Sequence, residues 1–362
     1  MKRICFILGT RPEIIKLSPI IRQCINDRLP YFIIHTNQHY SPKLDKIFFK
    51  ELELPSAKYN LNIGSAYHGQ QTGNMIIEIE KILKKEKPSC ILIQGDTNSV
   101  LAGAMAAAKE MKIQIAHIEA GLRSYDRSMP EEINRIIADH VSDLLFAPTI
   151  QQKKILLKEG IPNNRISVTG NTIVDAVLQN IIISDKKSNI LNKYKISKNN
   201  YCLLTLHRPA NVDNKATLKT TLEGVSAAAK KLFIDEIIFP IHPRTQKSIN
   251  KFKLKVPRSI KILPPLGYIE MLQLISNAKI VFTDSGGIQE ETCILKIPCV
   301  TLRENTERPE TLVVGGNILA GNSRNKIISS AKIIQNRKIK WSNPFGDGKS
   351  AQKIINVIRP LL

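Results

Sequence analysis

The 362-residue sequence contains no Cys-x-x-Cys pair, no His and Cys spacing suited to a metal, and no run approaching the ~18 apolar residues of a membrane span. These absences argue against a thiol redox motif, a structural metal site and a membrane-crossing helix. Gly-x-Gly-x-x-Gly is missing as well, so the dinucleotide fingerprint is absent. Gly346-Asp347-Gly348-Lys349-Ser350 resembles the end of a P-loop, but Asn343 stands where the first glycine belongs and no strand precedes it. A dehydrogenase or a P-loop kinase therefore has little support. Acidic residues are scarce too: 31 Asp+Glu face 53 Lys+Arg, a formal net charge of +22.

What is present is an ordinary globular composition, 43% hydrophobic and 23% charged, which excludes disorder. Residues 1–170 carry 23 basic and 17 acidic side chains, whereas residues 171–362 carry 30 and 14. Such a bias suits a polyanionic partner or simply Lys-rich solvated faces. The densest basic run, 244–261, includes Lys247, Lys251, Lys253, Lys255 and Arg258 and is interleaved only by Phe252. It offers no base-stacking platform, so no nucleic-acid partner is expected. Cys5, Cys90, Cys202 and Cys299 sit in apolar runs and read, with Cys24 and Cys293, as buried small hydrophobes in a reducing compartment. Met1-Lys2-Arg3 resembles a signal n-region, but the apolar run that follows is too short for an h-region. The expectation is a cytoplasmic chain with no membrane partner.

Short, continuously apolar runs at 4–8, 31–36, 90–94, 113–118 and 143–147 recur at 201–206, 236–240, 260–263, 279–283 and 298–302. They suit strands buried on both faces of a parallel sheet. Helical periodicity separates them, at 12–27, 69–85, 99–110, 214–231 and 286–295. This is βαβ repetition twice over, and a polar stretch at 181–200 divides it. The expected fold is α/β, with two Rossmann-like doubly wound domains, 1–180 and 181–345, facing a central cleft, and a C-terminal helix within 346–362 that returns to the first domain. In such folds ligands sit beyond the carboxyl ends of the strands.

The unusual residues fall there. Gly9-Thr10-Arg11-Pro12-Glu13 follows the first run with capping-box spacing between Thr10 and Glu13. Arg11 and Lys16 are unfavourable at a helix N-terminus, which points to an anionic ligand. Asp96 follows the 90–94 run, and Glu119 directly ends the 113–118 run with Gly121 two residues on. Glu131 and Arg135 stand four apart at a helix start, the spacing of an intrahelical ion pair. In the second half His207-Arg208 and His242-Pro243-Arg244 end successive strands, and Asp284-Ser285-Gly286-Gly287 opens a helix whose small residues can present N–H groups to phosphate.

Taken together, Gly9 to Glu13 with Lys16, Gly95-Asp96-Thr97, His117-Ile118-Glu119-Ala120-Gly121-Leu122-Arg123, Pro130 to Arg135, Thr169-Gly170-Asn171-Thr172, Asp284 to Glu291, Thr306 to Glu310 and Asn343-Pro344-Phe345-Gly346-Asp347-Gly348 resemble the non-hydrolysing UDP-N-acetylglucosamine 2-epimerases along essentially the whole chain. The resemblance implies the B-type glycosyltransferase architecture, a homodimer, a UDP-sugar substrate, and no metal or nucleotide cofactor. It also implies elimination of UDP across C1–C2 to 2-acetamidoglucal, followed by re-addition. By motif position Asp96, Glu119 and Glu131 would supply acid and base. Arg11, Lys16, Arg135 and His207, with Arg208, His242 and Arg308, would steady the ring and the anionic leaving group. Ser285, Gly286 and Gly287 would cradle the diphosphate, and Glu291 would hold the ribose.

Two places depart from the common pattern of that family. Many members read His-Arg-Arg-Glu where this chain has His207-Arg208-Pro209-Ala210-Asn211. After Gln38-His39 the chain continues Tyr40-Ser41-Pro42-Lys43, unlike members that bind a second UDP-GlcNAc as activator. A 2-epimerase of a related UDP-N-acyl-sugar and a UDP-sugar glycosyltransferase of the same fold are the alternatives.

Overall fold

Apolar runs form strands and amphipathic stretches form helices, in alternation, in the computed structural model, which describes residues 2–38, 48–110, 112–337 and 341–362. The chain divides into two units, Met1–Leu178 with Phe345–Leu362, and Gln179–Pro344.

In the first unit β1 (Ile4–Leu8), β2 (Tyr31–His35), β3 (Tyr59–Asn60), β4 (Cys90–Gln94), β5 (Gln114–Ile118), β6 (Leu144–Ala147) and β7 (Ile166–Val168) form one sheet in the order β3-β2-β1-β4-β5-β6-β7. All neighbours are parallel, with Ile4 opposite both Tyr31 and Cys90. Every residue of β1 and β4 is buried, which explains why neither run alternates. Cys5, Ile7, Ile91 and Ile93 pack on Met75 and Ile79 of helix His68–Glu86 and on Val100 and Ala104 of helix Asn98–Ala108. Each such isoleucine contributes about 1.5–3 kcal/mol by leaving water.

The second unit repeats the plan with β8 (Tyr201–Thr205), β9 (Glu236–Pro240), β10 (Ile260–Leu263), β11 (Ile280–Thr283), β12 (Cys299–Thr301) and β13 (Asn317–Leu319). The order is β10-β9-β8-β11-β12-β13, again all parallel. In both sheets the winding reverses beside the first strand, between β1 and β4 and between β8 and β11. In doubly wound sheets ligands bind beyond the carboxyl ends of the strands at such a point.

Three edge strands, β3, β7 and β13, have no counterpart among the apolar runs. They are two or three residues long and only partly buried, so they carry no continuous apolar signal. The polar stretch at 181–200 is no simple linker either. Helix Thr172–Lys187 runs on through it, helix Ile190–Lys193 follows, and buried Ser184 donates to the Ile269 carbonyl at 2.8 Å.

The P-loop-like segment serves the first unit. The Phe345 carbonyl accepts from the Asn171 amide at 2.8 Å, and Asp175 caps helix Ser350–Ile358 by accepting from Ser350 N and Ala351 N at 3.2 and 2.9 Å. Arg359 then pairs with Asp27. All six cysteines are buried free thiols. No helix of the described residues is long and apolar enough to cross a membrane.

Candidate active site

Each unit gathers charged groups at its own switch point. In the first, helix Arg11–Asn26 starts two residues after β1, with Thr10 as N-cap and Pro12 in the first turn. Glu13 folds back as the sequence spacing requires. One of its oxygens accepts from Gly9 N at 2.6 Å, Thr10 N at 2.7 Å and Thr10 Oγ1 at 3.0 Å, and the other accepts from Thr97 Oγ1. Burial pushes the Glu13 carboxyl up to about 7 against these bonds. The carboxyl thereby ties the loop after β1 to the loop after β4.

Glu119 lies at the end of β5, buried, with φ at +72° in the left-handed region. Three other elements supply its partners. Lys16 Nζ approaches Oε1 at 2.5 Å, Asn171 Nδ2 donates to the same oxygen at 3.1 Å, and Gln94 Nε2 donates to Oε2. The Lys16 charge, which the sequence left for an external anion, is thus matched in part by a carboxylate of the chain. Arg11 is exposed and stacks over Phe48 at 5.7 Å.

Asp96, after β4, meets Arg135 NH2 at 2.5 Å, and its carbonyl accepts from Asn134 Nδ2 at 2.9 Å. Arg135 also reaches Glu132 at 2.8 Å. Burial works against the Arg135 charge, but Asp96 and Glu132 outweigh it and raise its pKa. The intrahelical pair that the spacing of Glu131 and Arg135 allows gives way to another: Glu132, one position on, takes the arginine, and Glu131 is exposed at the helix start. Glu132 is committed further, accepting from Ser124 N and Tyr125 N, each at 2.9 Å. The segment 39–43, which differs from the family pattern, lies outside the described residues.

In the second unit Asp284 ends β11 and is fully buried. It accepts from His207 N at 3.0 Å, Arg208 N at 2.9 Å and Asn211 Nδ2 at 3.0 Å, while His207 Nδ1 sits 3.0 Å from its other oxygen. Burial would raise its pKa, but the His207 and backbone bonds win and hold it below the usual range. Asp284 therefore fixes the His207-Arg208 turn, and Asn211, just past the Pro209-Ala210 departure from the family pattern, is part of that fixture. His242 lies 5.5 Å from the His207 ring, and its Nδ1 accepts from Arg244 N at 3.2 Å. Burial first, then His207, depress its pKa, so the ring is a neutral cap.

Ser285 is the N-cap of helix Gly286–Leu295 and makes no side-chain cap bond, which leaves the first-turn N–H groups for an anion. A β-carbon on Gly286 would lie 3.7 Å from Glu307 Oε2 and one on Gly287 4.0 Å from Ser285 Oγ, ordinary contacts with no clash. Burial, with Glu290 adjacent, lifts Glu291 to about 8. Arg308 Nε pairs with Glu290 at 2.8 Å, and Arg208 approaches Glu307 at 3.8 Å. The arginines expected to face a diphosphate thus already have carboxylate partners, which orient them.

Gln94, Asn171 and Asp284 are site residues that motif reading left without a role. Gln94 and Asp284 carried the signal of a polar group at the end of an apolar run, and Asn171 stood in the Thr169-Gly170-Asn171-Thr172 motif.

Carboxylates and cations around the switch point of one doubly wound sheet, and an anion-ready helix end at the switch point of a second, define an α/β protein of the B-type glycosyltransferase class. The model of the UDP-N-acetylglucosamine 2-epimerase family matches residues 23–359. The UDP-N-acetylglucosamine 2-epimerase of Methanocaldococcus jannaschii is 56% identical over 362 residues, 98% of each chain. That of Methanococcus maripaludis is 54% identical over 364 residues, covering 99% of this chain and 98% of the relative. The solved structure of the M. jannaschii UDP-GlcNAc 2-epimerase in complex with UDP-GlcNAc and UDP superposes with a TM-score of 0.85 at 56% identity, covering 99% of both chains. The chain belongs to the UDP-N-acetylglucosamine 2-epimerase family, and so to the isomerases.

Proposed function

We propose that the chain interconverts UDP-GlcNAc and UDP-ManNAc. Direct deprotonation at sugar C2 would leave a carbanion with no adjacent carbonyl to hold its charge. Elimination avoids it. A carboxylate takes the C2 proton, the C–H electrons become the C1–C2 double bond, and the C1–O bond breaks with its electrons on the β-phosphate of UDP. The 2-acetamidoglucal then takes UDP back at C1 while a protonated group delivers hydrogen to the opposite face of C2.

Asp96, Glu119 and Glu131 are the acid and base candidates, and Glu119 carries the reading. A carboxylate ending a buried strand in a strained conformation, with Lys16, Gln94 and Asn171 directed at it, is built for chemistry at a fixed point. His207, Arg208 and Arg308 oppose the charge growing on the departing diphosphate, and the Ser285-Gly286-Gly287 helix end receives it. With its value near 8, Glu291 is mostly protonated at neutral pH and can donate to a ribose hydroxyl as well as accept from one. Lys16 and Arg135 hold carboxylates as well as charge, so their loss would disturb the acid and base groups too. The same reading carries a homodimer in the cytoplasm, which light scattering and cell fractionation test.

The experiment is incubation of the purified chain with UDP-GlcNAc and no acceptor. Formation of UDP-ManNAc to a constant ratio from either epimer is expected. Consumption of the sugar only when an acceptor is supplied would replace this reading with glycosyl transfer.

A further inference from the structure

His117 and Arg123 flank Glu119 in the sequence and are not among the residues assigned to the substrate. His117 is buried on β5. Its Nδ1 lies 2.7 Å from Asp139 Oδ1 and its Nε2 2.9 Å from the Gly95 carbonyl. A carboxylate oxygen and a carbonyl oxygen both accept, so both ring nitrogens donate and the ring is an imidazolium. Asp139, buried on helix Pro130–Val141, accepts at its second oxygen from Gly121 N at 3.1 Å and Arg123 NH1 at 2.7 Å. Arg123 closes on Glu159 with bonds of 2.8 and 2.6 Å. Charges alternate along this chain of four and sum to zero, which makes the burial of three of them tolerable. Burial works against the ring's charge, but Asp139 and Gly95 outweigh it and hold the His117 pKa above its ordinary value.

The chain of charges grips two loops. Gly95, at φ +85° immediately before Asp96, donates its N–H to the Ile118 carbonyl at 3.2 Å and gives its own carbonyl to His117. Glu119 sits in its left-handed conformation between His117 and Gly121, and both of those anchors end on Asp139. A strained backbone of this kind persists only where its surroundings over-determine it.

We propose that His117, held as a cation by Asp139, is a positioning residue that fixes the loop carrying Asp96 against the turn carrying Glu119, so that the ring serves proton transfer and not UDP binding. The proposal rests on the epimerase reading above.

The test measures kcat and KM for UDP-GlcNAc, and UDP affinity by calorimetry, in His117→Gln, Asp139→Asn and the double variant. A misplacement of about 1 Å costs on the order of 10²-fold in rate, so a kcat loss of about that size is expected in each single variant, with KM and UDP affinity within about twofold. The double variant should lose little more, because the two residues act as one unit. A His117→Gln rate within about threefold of the parent, or a loss of UDP affinity matching the loss of rate, overturns the proposal. Nitrogen-15 NMR of histidine-labelled unaltered chain at about pH 8 reads the ring directly. Two protonated nitrogens are expected there, and one bare nitrogen refutes the cation. That measurement needs neither a folded variant nor turnover, so it decides the matter if the substitutions prevent folding. An unaltered chain that leaves UDP-GlcNAc unchanged counts against the epimerase reading, and the ring measurement still stands by itself.

Discussion

Replacing Glu119 by Gln removes one negative charge and changes almost no volume, so its effects separate by cause. The carboxylate accepts from Lys16 Nζ at 2.5 Å, from Asn171 Nδ2 at 3.1 Å and from Gln94 Nε2. A glutamine amide keeps one oxygen for these donors and turns an NH₂ toward another. Lys16 and Glu119 have side chains only 11% and 6% exposed, so the lysine would be left as a nearly buried cation without its counterion. Removing one member of a buried pair costs about 3–5 kcal/mol, and because the glutamine oxygen still accepts, the lower end applies, about 3 kcal/mol. For a unit of this size that is roughly 6–12 °C in melting temperature. The effect on the reaction is larger, on the order of 10²–10⁴ in rate, since a group that moves the C2 proton is lost. UDP affinity should stay within about twofold, because the helix end proposed to receive the diphosphate belongs to the other unit. Deuterium uptake at C2, scanning calorimetry and titration with UDP read the three quantities on one preparation. A variant that retains more than about a tenth of the parent rate, or whose UDP affinity falls as steeply as its rate, would falsify the role given to Glu119.

Gly121→Ala places a methyl group 2.7 Å from the Gln152 carbonyl at a φ of +83°, so a loss of at least ~2 kcal/mol is expected in urea unfolding, and a neutral result would show that the turn relaxes freely. Gly287→Ala meets nothing closer than 4.0 Å and should raise helix stability by up to ~1 kcal/mol while weakening UDP binding; unchanged affinity would remove the phosphate role of that helix end. Glu291 has its folded value near 8, above its ordinary 4.5, so the stability it contributes is complete below pH 4.5 and is lost as pH rises through 8. Glu291→Gln should therefore flatten the stability profile between those values, measured as urea midpoints across that range, and identical slopes in parent and variant would contradict the assignment.

The strands that position the site were legible because they are central. β1, β4 and β9 match their apolar runs residue for residue, and β5 and β11 differ by one residue at the start. The edge strands β3 and β7 escaped notice because their few half-exposed residues show no apolar run, whereas the edge strand β10 was readable from Ile260, Ile262 and Leu263. The capping of helix Arg11–Asn26 was readable too, since Thr10 and Glu13 are near neighbours. Partners drawn from distant elements were not. Nothing in local spacing brings Asn171 to Glu119, 52 residues away, or Asp139 to His117, 22 away. The pairing of Arg135 failed for a related reason. Spacing offered Glu131, but Arg135 reaches Asp96 in the loop after β4 and pairs with Glu132, at i,i−3, as it does so.

The decisive measurement is the isotope content of sugar C2 after incubation of the unaltered chain with UDP-GlcNAc in deuterated water. Elimination and re-addition predict deuterium at C2 of both UDP-GlcNAc and UDP-ManNAc, incorporated without any acceptor. Folded protein that binds UDP yet leaves C2 fully protonated in recovered sugar would contradict the account.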